Sequence, residues 1–177
     1  GVGGYCLTKD PLMGMISLDQ IYNKKLDFPL SKMSVKINKK MPENTLNLVL
    51  ENLSDINNIL VLGITYLEDV GDIRFSASET LISLLIEKKL SVDCFDPMVN
   101  YSNCKDVKML DDLPEAINYS VIILTVKHTI FKHLNYSDWL KNFSGTLIDS
   151  NNVLDGTGLR KLKKQGIRVK AIGRGGL

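Results

Sequence analysis

A helical segment followed by a doubly wound α/β domain with a parallel sheet is the fold this sequence predicts. Three observations carry that expectation. Residues 9 to 53 show helical periodicity and no alternating strand signal. From Asn58 onward, short apolar runs alternate with helical stretches that open on capping residues. Two of those runs, Ile59 to Ile64 and Ser120 to Val126, are almost continuously apolar. Strands buried on both faces of a parallel sheet read this way.

In chain order, a first helix is expected from near Cys6 towards Ser17, with Gly14 and Pro29 marking the breaks around the next segment. Leu46, Val49, Leu50 and Leu53 recur at the spacing of one helix face, and Pro42 fits the first turn of that helix. Residues 53 to 58 form a turn-rich junction. It divides a helical region (1–55) from an α/β domain (56–177). Ser76-Ala77-Ser78-Glu79 has the form of a capping box, and Leu81, Leu84 and Leu85 supply the buried face behind it. Leu90 to Phe95 is the next strand, closing at Asp96-Pro97. Asp112 to Glu115 repeats the cap signal before a short helix. Thr146 to Asp149 and Arg168 to Ile172 complete a set of five strands, with a helix from Gly158 to Gln165 between them. Ligands of such sheets bind at the carboxyl ends of the strands.

Composition narrows the function. The 177 residues carry a net charge of +2 and are 44% hydrophobic, as in an ordinary globular protein. Nucleic acid or an anionic membrane would call for a concentrated basic face. The one basic cluster, Arg160 to Lys164, reads as a solvated helix side. No apolar stretch approaches the roughly 20 residues needed to span a bilayer. Cys6, Cys94 and Cys104 are too few and too irregularly spaced for a disulfide framework or a metal site, and a reducing cytoplasm is the simplest setting. The opening Gly1-Val2-Gly3-Gly4 starts in what reads as the middle of a motif, which points to a fragment.

The sheet looks Rossmann-like, but its first turn is Gly63-Ile64-Thr65-Tyr66-Leu67-Glu68 and not GxGxxG. Without those glycines a dinucleotide pyrophosphate has no close backbone approach. This domain is therefore not expected to bind NAD by the usual route.

Gly1-Val2-Gly3-Gly4-Tyr5-Cys6-Leu7-Thr8-Lys9-Asp10 resembles the GxGGxCxxKD signature of UDP-glucose and UDP-N-acetylhexosamine 6-dehydrogenases, with Thr8 where that family usually has proline. Ile37-Asn38-Lys39-Lys40-Met41-Pro42 is similar to its INxxMP segment. Gly63, Tyr66, Asp69, Gly71-Asp72-Ile73-Arg74 and Ser76 resemble the opening of its carboxy-terminal domain. Asp96-Pro97, Phe131 to Leu134 and Ile172 to Arg174 follow in the family's order.

The resemblance implies a four-electron oxidation of the C6 alcohol of a UDP-sugar to a carboxylate, with NAD bound mainly by an amino-terminal domain that this chain lacks. It implies Cys6 as the nucleophile forming a thiohemiacetal and then a thioester, and Asp10 as the carboxylate that handles the hydrolytic water. If a helix begins near Tyr5, Cys6 and Asp10 share one face, and the helix dipole favours the thiolate. The ordinary fate of a lone cysteine, a small buried hydrophobe, is the alternative. By the same resemblance Arg74 is a cofactor-phosphate residue, whose plainer role is pairing with Asp72 or Asp69. Gly3, Tyr66 and Lys9 belong to the substrate site, and Asn38 helps to order the central helices. The helical region is implied as a homodimer core, with Leu46, Val49 and Leu50 offered to a twin.

Two departures stand out. The family has lysine at Leu67 and commonly arginine at Asn151, and each lost phosphate contact is worth roughly 1.5–3 kcal/mol. They keep open a second reading, a non-catalytic nucleotide-sugar-binding or assembly module. A receiver-type regulatory domain, which needs acidic residues after its first strand, is represented only by Glu68 and Asp69. The sugar also stays open. Gly1 to Gly4 resembles the N-acetylhexosamine branch, whereas Tyr5-Cys6-Leu7 resembles some UDP-glucose enzymes.

Overall fold

The computed structural model describes residues 1–53 and 58–174. The junction expected at 53–58 therefore falls largely outside the described residues. Two helices lead the chain, α1 (Met13–Gln20) and α2 (Pro29–Leu50), preceded by a 3-10 turn at Asp10–Leu12. The α/β part then runs β1 (Asn58–Leu62), α3 (Ala77–Glu87), β2 (Ser91–Phe95), β3 (Lys108–Leu110) and β4 (Val121–Leu124). It continues through α4 (Thr129–Lys132), α5 (Tyr136–Trp139), β5 (Thr146–Asp149), α6 (Gly156–Lys164) and β6 (Arg168–Ala171).

All neighbouring strands pair in parallel, in the order β3-β2-β1-β4-β5-β6. The two apolar runs read as strands buried on both faces are β1 and β4, which pair with Ile59 opposite Val121 and Leu62 opposite Leu124. Alternate residues of these strands feed two cores. Leu60, Leu62, Ile122, Leu124 and Leu147 meet Phe131, Tyr136, Leu159 and Leu162 of α4, α5 and α6. Ile59, Val61, Val121, Ile123 and Ile148 meet Leu46 and Val49 of α2 and Leu81, Ile82 and Leu85 of α3. Helices thus cover both faces, as the doubly wound reading requires. The order reverses between β1 and β4, so the switch-point crevice lies at their carboxyl ends.

Several local expectations are corrected. The sheet has a sixth strand, β3, at its edge; three residues are too short for alternation to register. α2 starts at Pro29 and continues through Pro42, which sits inside the helix and not in its first turn. Proline there leaves the Asn38 carbonyl without its helical donor, and burial of Pro42 in the chain's interior accompanies that loss. Gly14 lies within α1 and does not break it. Ser76 caps α3 by accepting from the Ser78 N–H, but Glu79 does not complete the box; its carboxylate holds Ser102 and Asn103 instead. Glu115 precedes only a 3-10 turn, Ala116–Asn118, with no side-chain cap. Leu46 and Val49 are consumed in the chain's own core and are not free to meet a twin; of the trio, only Leu50 is exposed. Among the described residues no helix is long and apolar enough to cross a membrane.

Candidate functional site

The amino-terminal glycine block docks on the carboxyl edge of the sheet. Gly4 N–H donates to the Arg74 carbonyl at 3.2 Å. A Cβ on Gly3 would lie 2.7 Å from both the Phe75 carbonyl oxygen and Tyr66 Cβ, and one on Gly4 would meet the Tyr66 ring at 2.9 Å. Gly4 also sits at φ +85, so both positions need glycine, one for space and one for space and conformation. Tyr5 adds an edge-on contact to Phe75 at 5.5 Å between ring centres. From the other side, the Asn38 side chain of α2 pairs with Val2 through both backbone groups, accepting from its N–H and donating to its C=O, each at 2.7 Å.

Cys6 follows this anchored stretch and is exposed. Its carbonyl accepts from Asp10 N–H at 2.9 Å and Lys9 N–H at 3.1 Å, which places Asp10 one turn further along. Regular helix begins only at Met13, however, so the dipole argument for the Cys6 thiolate does not apply. The Lys9 ammonium lies 3.0 Å from Asp10 Oδ1 and 4.8 Å from the Tyr5 ring centre. The hydrogen bond to Asp10 raises the Lys9 pKa above its ordinary value and keeps it cationic. Arg74 makes a forked ion pair with Asp72, at 2.7 Å from Nη2 to Oδ2, with its side chain 70% exposed. That hydrogen bonding raises the arginine and lowers the Asp72 carboxyl.

A small cavity opens at the switch point, between α2 and the loops after β1, β4 and β5. It is lined by Met41 and Thr45, Thr65 and Tyr66, Ser76 and Ser78, Thr125 and Val126, and Ser150 and Asn151. Among the described residues no charged side chain lines it. Leu67 is exposed, and Asn151 spends its amide on the Thr125 carbonyl at 2.9 Å. Of the residues named from sequence, Tyr66 reaches this cavity. Cys6, Asp10, Lys9 and Arg74 do not line it. Gly3 and Gly4 join the two groups by packing on Tyr66.

The crevice does not fit a dinucleotide. The open face of Gly63 is filled by Val126, whose Cγ2 would lie 2.8 Å from an added Cβ. The N–H groups of Ile64 and Thr65, which would face a pyrophosphate, both donate to Asp96 Oδ2, at 2.6 and 3.1 Å. Burial alone would raise the Asp96 carboxyl. Hydrogen bonds from His128, Ile64 and Met98 outweigh it and hold the group below its ordinary value, as a carboxylate.

A profile of the UDP-glucose/GDP-mannose dehydrogenase family, UDP binding domain, matches residues 60–156, more than half of the chain. The chain belongs to this family. UDP-N-acetyl-D-mannosamine dehydrogenase of Methanococcus vannielii is 30% identical over 185 residues, covering 99% of this chain and 40% of the relative. UDP-glucose 6-dehydrogenase of Rickettsia prowazekii is 31% identical over 185 residues, with 98% and 41% covered. Among solved structures, the NDP-N-acetyl-D-galactosaminuronic acid dehydrogenase of Methanosarcina mazei superposes with a TM-score of 0.83 at 28% identity, covering 98% of this chain and 38% of that one. The chain therefore spans about two-fifths of the length of these family members.

Sequence reasoning missed three features of this family member. Asn38 was read as ordering helices, but its partner is Val2. Asp149 is fully buried and accepts from Val153 N–H and Leu154 N–H, each at 2.9 Å, shaping the loop that carries Asn151. His128, completely buried just past β4, went unnoticed; its place at the carboxyl end of a central strand was the available signal. The Asn38 clamp leads to a prediction. Asn38→Ala should lower melting by about 4–8 °C and leave the fold intact, since two partly hydrated hydrogen bonds are worth about 1 kcal/mol each. Amide exchange at Val2 and Gly4 should nonetheless accelerate markedly. Unchanged exchange at both would show that the clamp holds nothing.

Proposed function

We propose that this chain is the cysteine-bearing and nucleotide-sugar-binding portion of a UDP-sugar 6-dehydrogenase. Residues 1–55 form its central helical region and residues 56–177 its carboxy-terminal binding domain. The observation that carries this reading is the docking of the Cys6 block, through Gly3 and Gly4, onto Tyr66 at the mouth of the switch-point cavity. A nucleotide seated at the carboxyl ends of the strands would lie beside that junction, with its sugar directed towards Cys6.

In this reading, the Cys6 thiolate adds to the C6 aldehyde carbon, and the aldehyde oxygen takes up the electron pair as the alkoxide of a thiohemiacetal. An aldehyde is a poor hydride donor, whereas this adduct is a good one, and its oxidation leaves a thioester on Cys6. Water then attacks the acyl carbon while Asp10 takes its proton; the C–S bond breaks, and the thiolate is restored. Lys9 holds the Asp10 carboxylate in place. Both oxidations need a hydride acceptor. We expect NAD, and the described residues do not form its cradle. Arg74, exposed beside Asp72, is the residue through which this chain would approach a cofactor phosphate.

Titrating UDP into the chain tests the binding half. Amide resonances of Thr65, Tyr66, Ser76 and Asn151 should move together; shifts confined elsewhere would remove the reading. A non-catalytic binding role is favoured by one observation: among the described residues the cavity is lined by no charged side chain, with Asn151 on its wall. Carbamidomethylating Cys6 in the full-length protein separates the two. An enzyme loses oxidation and keeps UDP, whereas a binder is indifferent.

The chain is also proposed to form a homodimer through its helical region, by a different face from the one first expected. Leu30, Met33 and Ile37 recur along α2 and are 83%, 53% and 54% exposed. Met33→Glu with Ile37→Glu should convert a dimer to monomers in sedimentation velocity while leaving far-UV dichroism unchanged. A wild-type monomer at tens of micromolar would contradict the assignment.

A further inference from the structure

His128 is completely buried, yet polar atoms surround its ring. Nδ1 lies 2.9 Å from the backbone N–H of Asp69. A peptide N–H only donates, so Nδ1 carries no proton. Nε2 lies 3.1 Å from Asp96 Oδ2 and 3.1 Å from Thr65 Oγ1. The Thr65 hydroxyl is committed to the Leu67 carbonyl at 3.0 Å, so it turns lone pairs to the ring. Asp96 presents a carboxylate. Both neighbours of Nε2 are acceptors, which makes the ring the neutral Nε2–H tautomer.

We infer that His128 is a positioning residue, a two-sided latch that fixes the loop of residues 64–74 and so sets the ligand-facing wall of the cavity. The inference rests on the reading that this cleft binds UDP. One side of the ring holds Thr65, which lines the cavity; the other holds Asp69, at the loop's far turn. Asp69 stands at φ +55, in the left-handed region, so its backbone needs an external partner to stay there. Its carboxylate fastens the same turn to α4, accepting from Thr129 N–H at 3.0 Å and Thr129 Oγ1 at 2.6 Å. From Asp69 the tie reaches the site by short steps. Tyr66 N–H donates to the Asp72 carbonyl at 2.9 Å, and Arg74 receives Gly4 N–H. Phe131 packs edge-on against the ring, 5.6 Å between ring centres, and the imidazole is fully buried.

Three variants separate the two sides of the latch. In His128→Asn the side-chain oxygen can replace Nδ1 as acceptor for Asp69. In His128→Gln the amide can replace Nε2–H as donor to Asp96 but leaves Asp69 unheld. His128→Ala loses both. Measured well below each variant's melting temperature, UDP affinity should stay within about threefold of wild type for Asn and fall about tenfold for Gln and Ala. Imidazole nitrogen resonances of the wild type should place the proton on Nε2. Equal affinities for all three folded variants, or a proton on Nδ1, would overturn the latch. If the wild type binds no UDP, the binding reading fails and the latch is judged on Asp69 amide exchange. Protection kept in Asn and lost in Gln supports it; protection alike in both refutes it.

Discussion

On the proposed mechanism, Cys6→Ala in the full-length protein should abolish conversion of a UDP-sugar to its carboxylate, lowering kcat by ~10^4-fold or more, as loss of a covalent nucleophile does. The affinity for UDP should be untouched, because Cys6 is exposed and lines no part of the cavity that Tyr66 and Thr65 border. Asp10→Asn separates the two halves of the chemistry. The sulfur can still attack, but the acyl group is released slowly, since no carboxylate takes the proton of water. A burst of oxidation followed by a slow phase is the kinetic pattern to look for. Steady-state rates within tenfold of wild type in Cys6→Ala would show that the oxidation does not run through this sulfur.

Gly63→Ala should destabilise the fold by about 3–5 kcal/mol, from steric overlap combined with a disallowed backbone conformation. Gly63 sits at φ +100, and an added methyl would lie 2.8 Å from Val126 Cγ2 and 2.9 Å from the Val126 nitrogen. Neither neighbour can yield. Val126 is buried at the end of the central strand pair, and its own N–H reaches back to the Leu62 carbonyl at 3.4 Å. The Gly63 N–H is bonded to Phe95, which pins it from the β2 side. Melting should drop by roughly 10 °C or more. Gly156→Ala is the matched control, since a Cβ there meets nothing within 4 Å; it should move melting by no more than a few degrees. A Gly63→Ala chain that melts within two or three degrees of wild type would show that the β1–β4 junction is looser than described.

Much of this architecture was legible because burial on both faces leaves an unmistakable sequence. Ile59 to Leu62 and Val121 to Leu124 are apolar at every position since helices lie above and below them. The capping serine before α3 was legible for a local reason: its hydroxyl bonds two residues away. β3 was not, because an edge strand of three residues, with Leu110 only partly buried, imposes no pattern. The reach of α2 was hidden by a proline that the helix absorbs. The site was less legible than the fold. Gly3 and Gly4 could be suspected from spacing, but the reason for them, the Tyr66 ring and the Phe75 carbonyl, is 60 or more residues away in sequence. Asn38 with Val2, and His128 with Asp69 and Asp96, are likewise pairings of distant residues that no local period encodes.

The same distance explains why Leu46 and Val49 are expected at a dimer face and lie in the core instead. Leu46 and Val49 have the spacing of an interface helix and also that of a core helix, and only the packing against α3 and the sheet distinguishes them. An exposed cysteine one turn before an aspartate is common. The stretch that leads to this one is held from both sides, Val2 by Asn38 and Gly4 by the Arg74 carbonyl after β1, which suits the purpose proposed for Cys6.

Trapping the acyl group on sulfur tests that purpose most directly. The full-length Asp10→Asn enzyme, mixed with a UDP-sugar and NAD and quenched in acid within one turnover, should yield a Cys6 peptide heavier by the oxidised UDP-sugar acyl group, and hydroxylamine should remove the added mass. An unmodified Cys6 peptide, recovered while carboxylate product still accumulates, would contradict covalent catalysis by this cysteine.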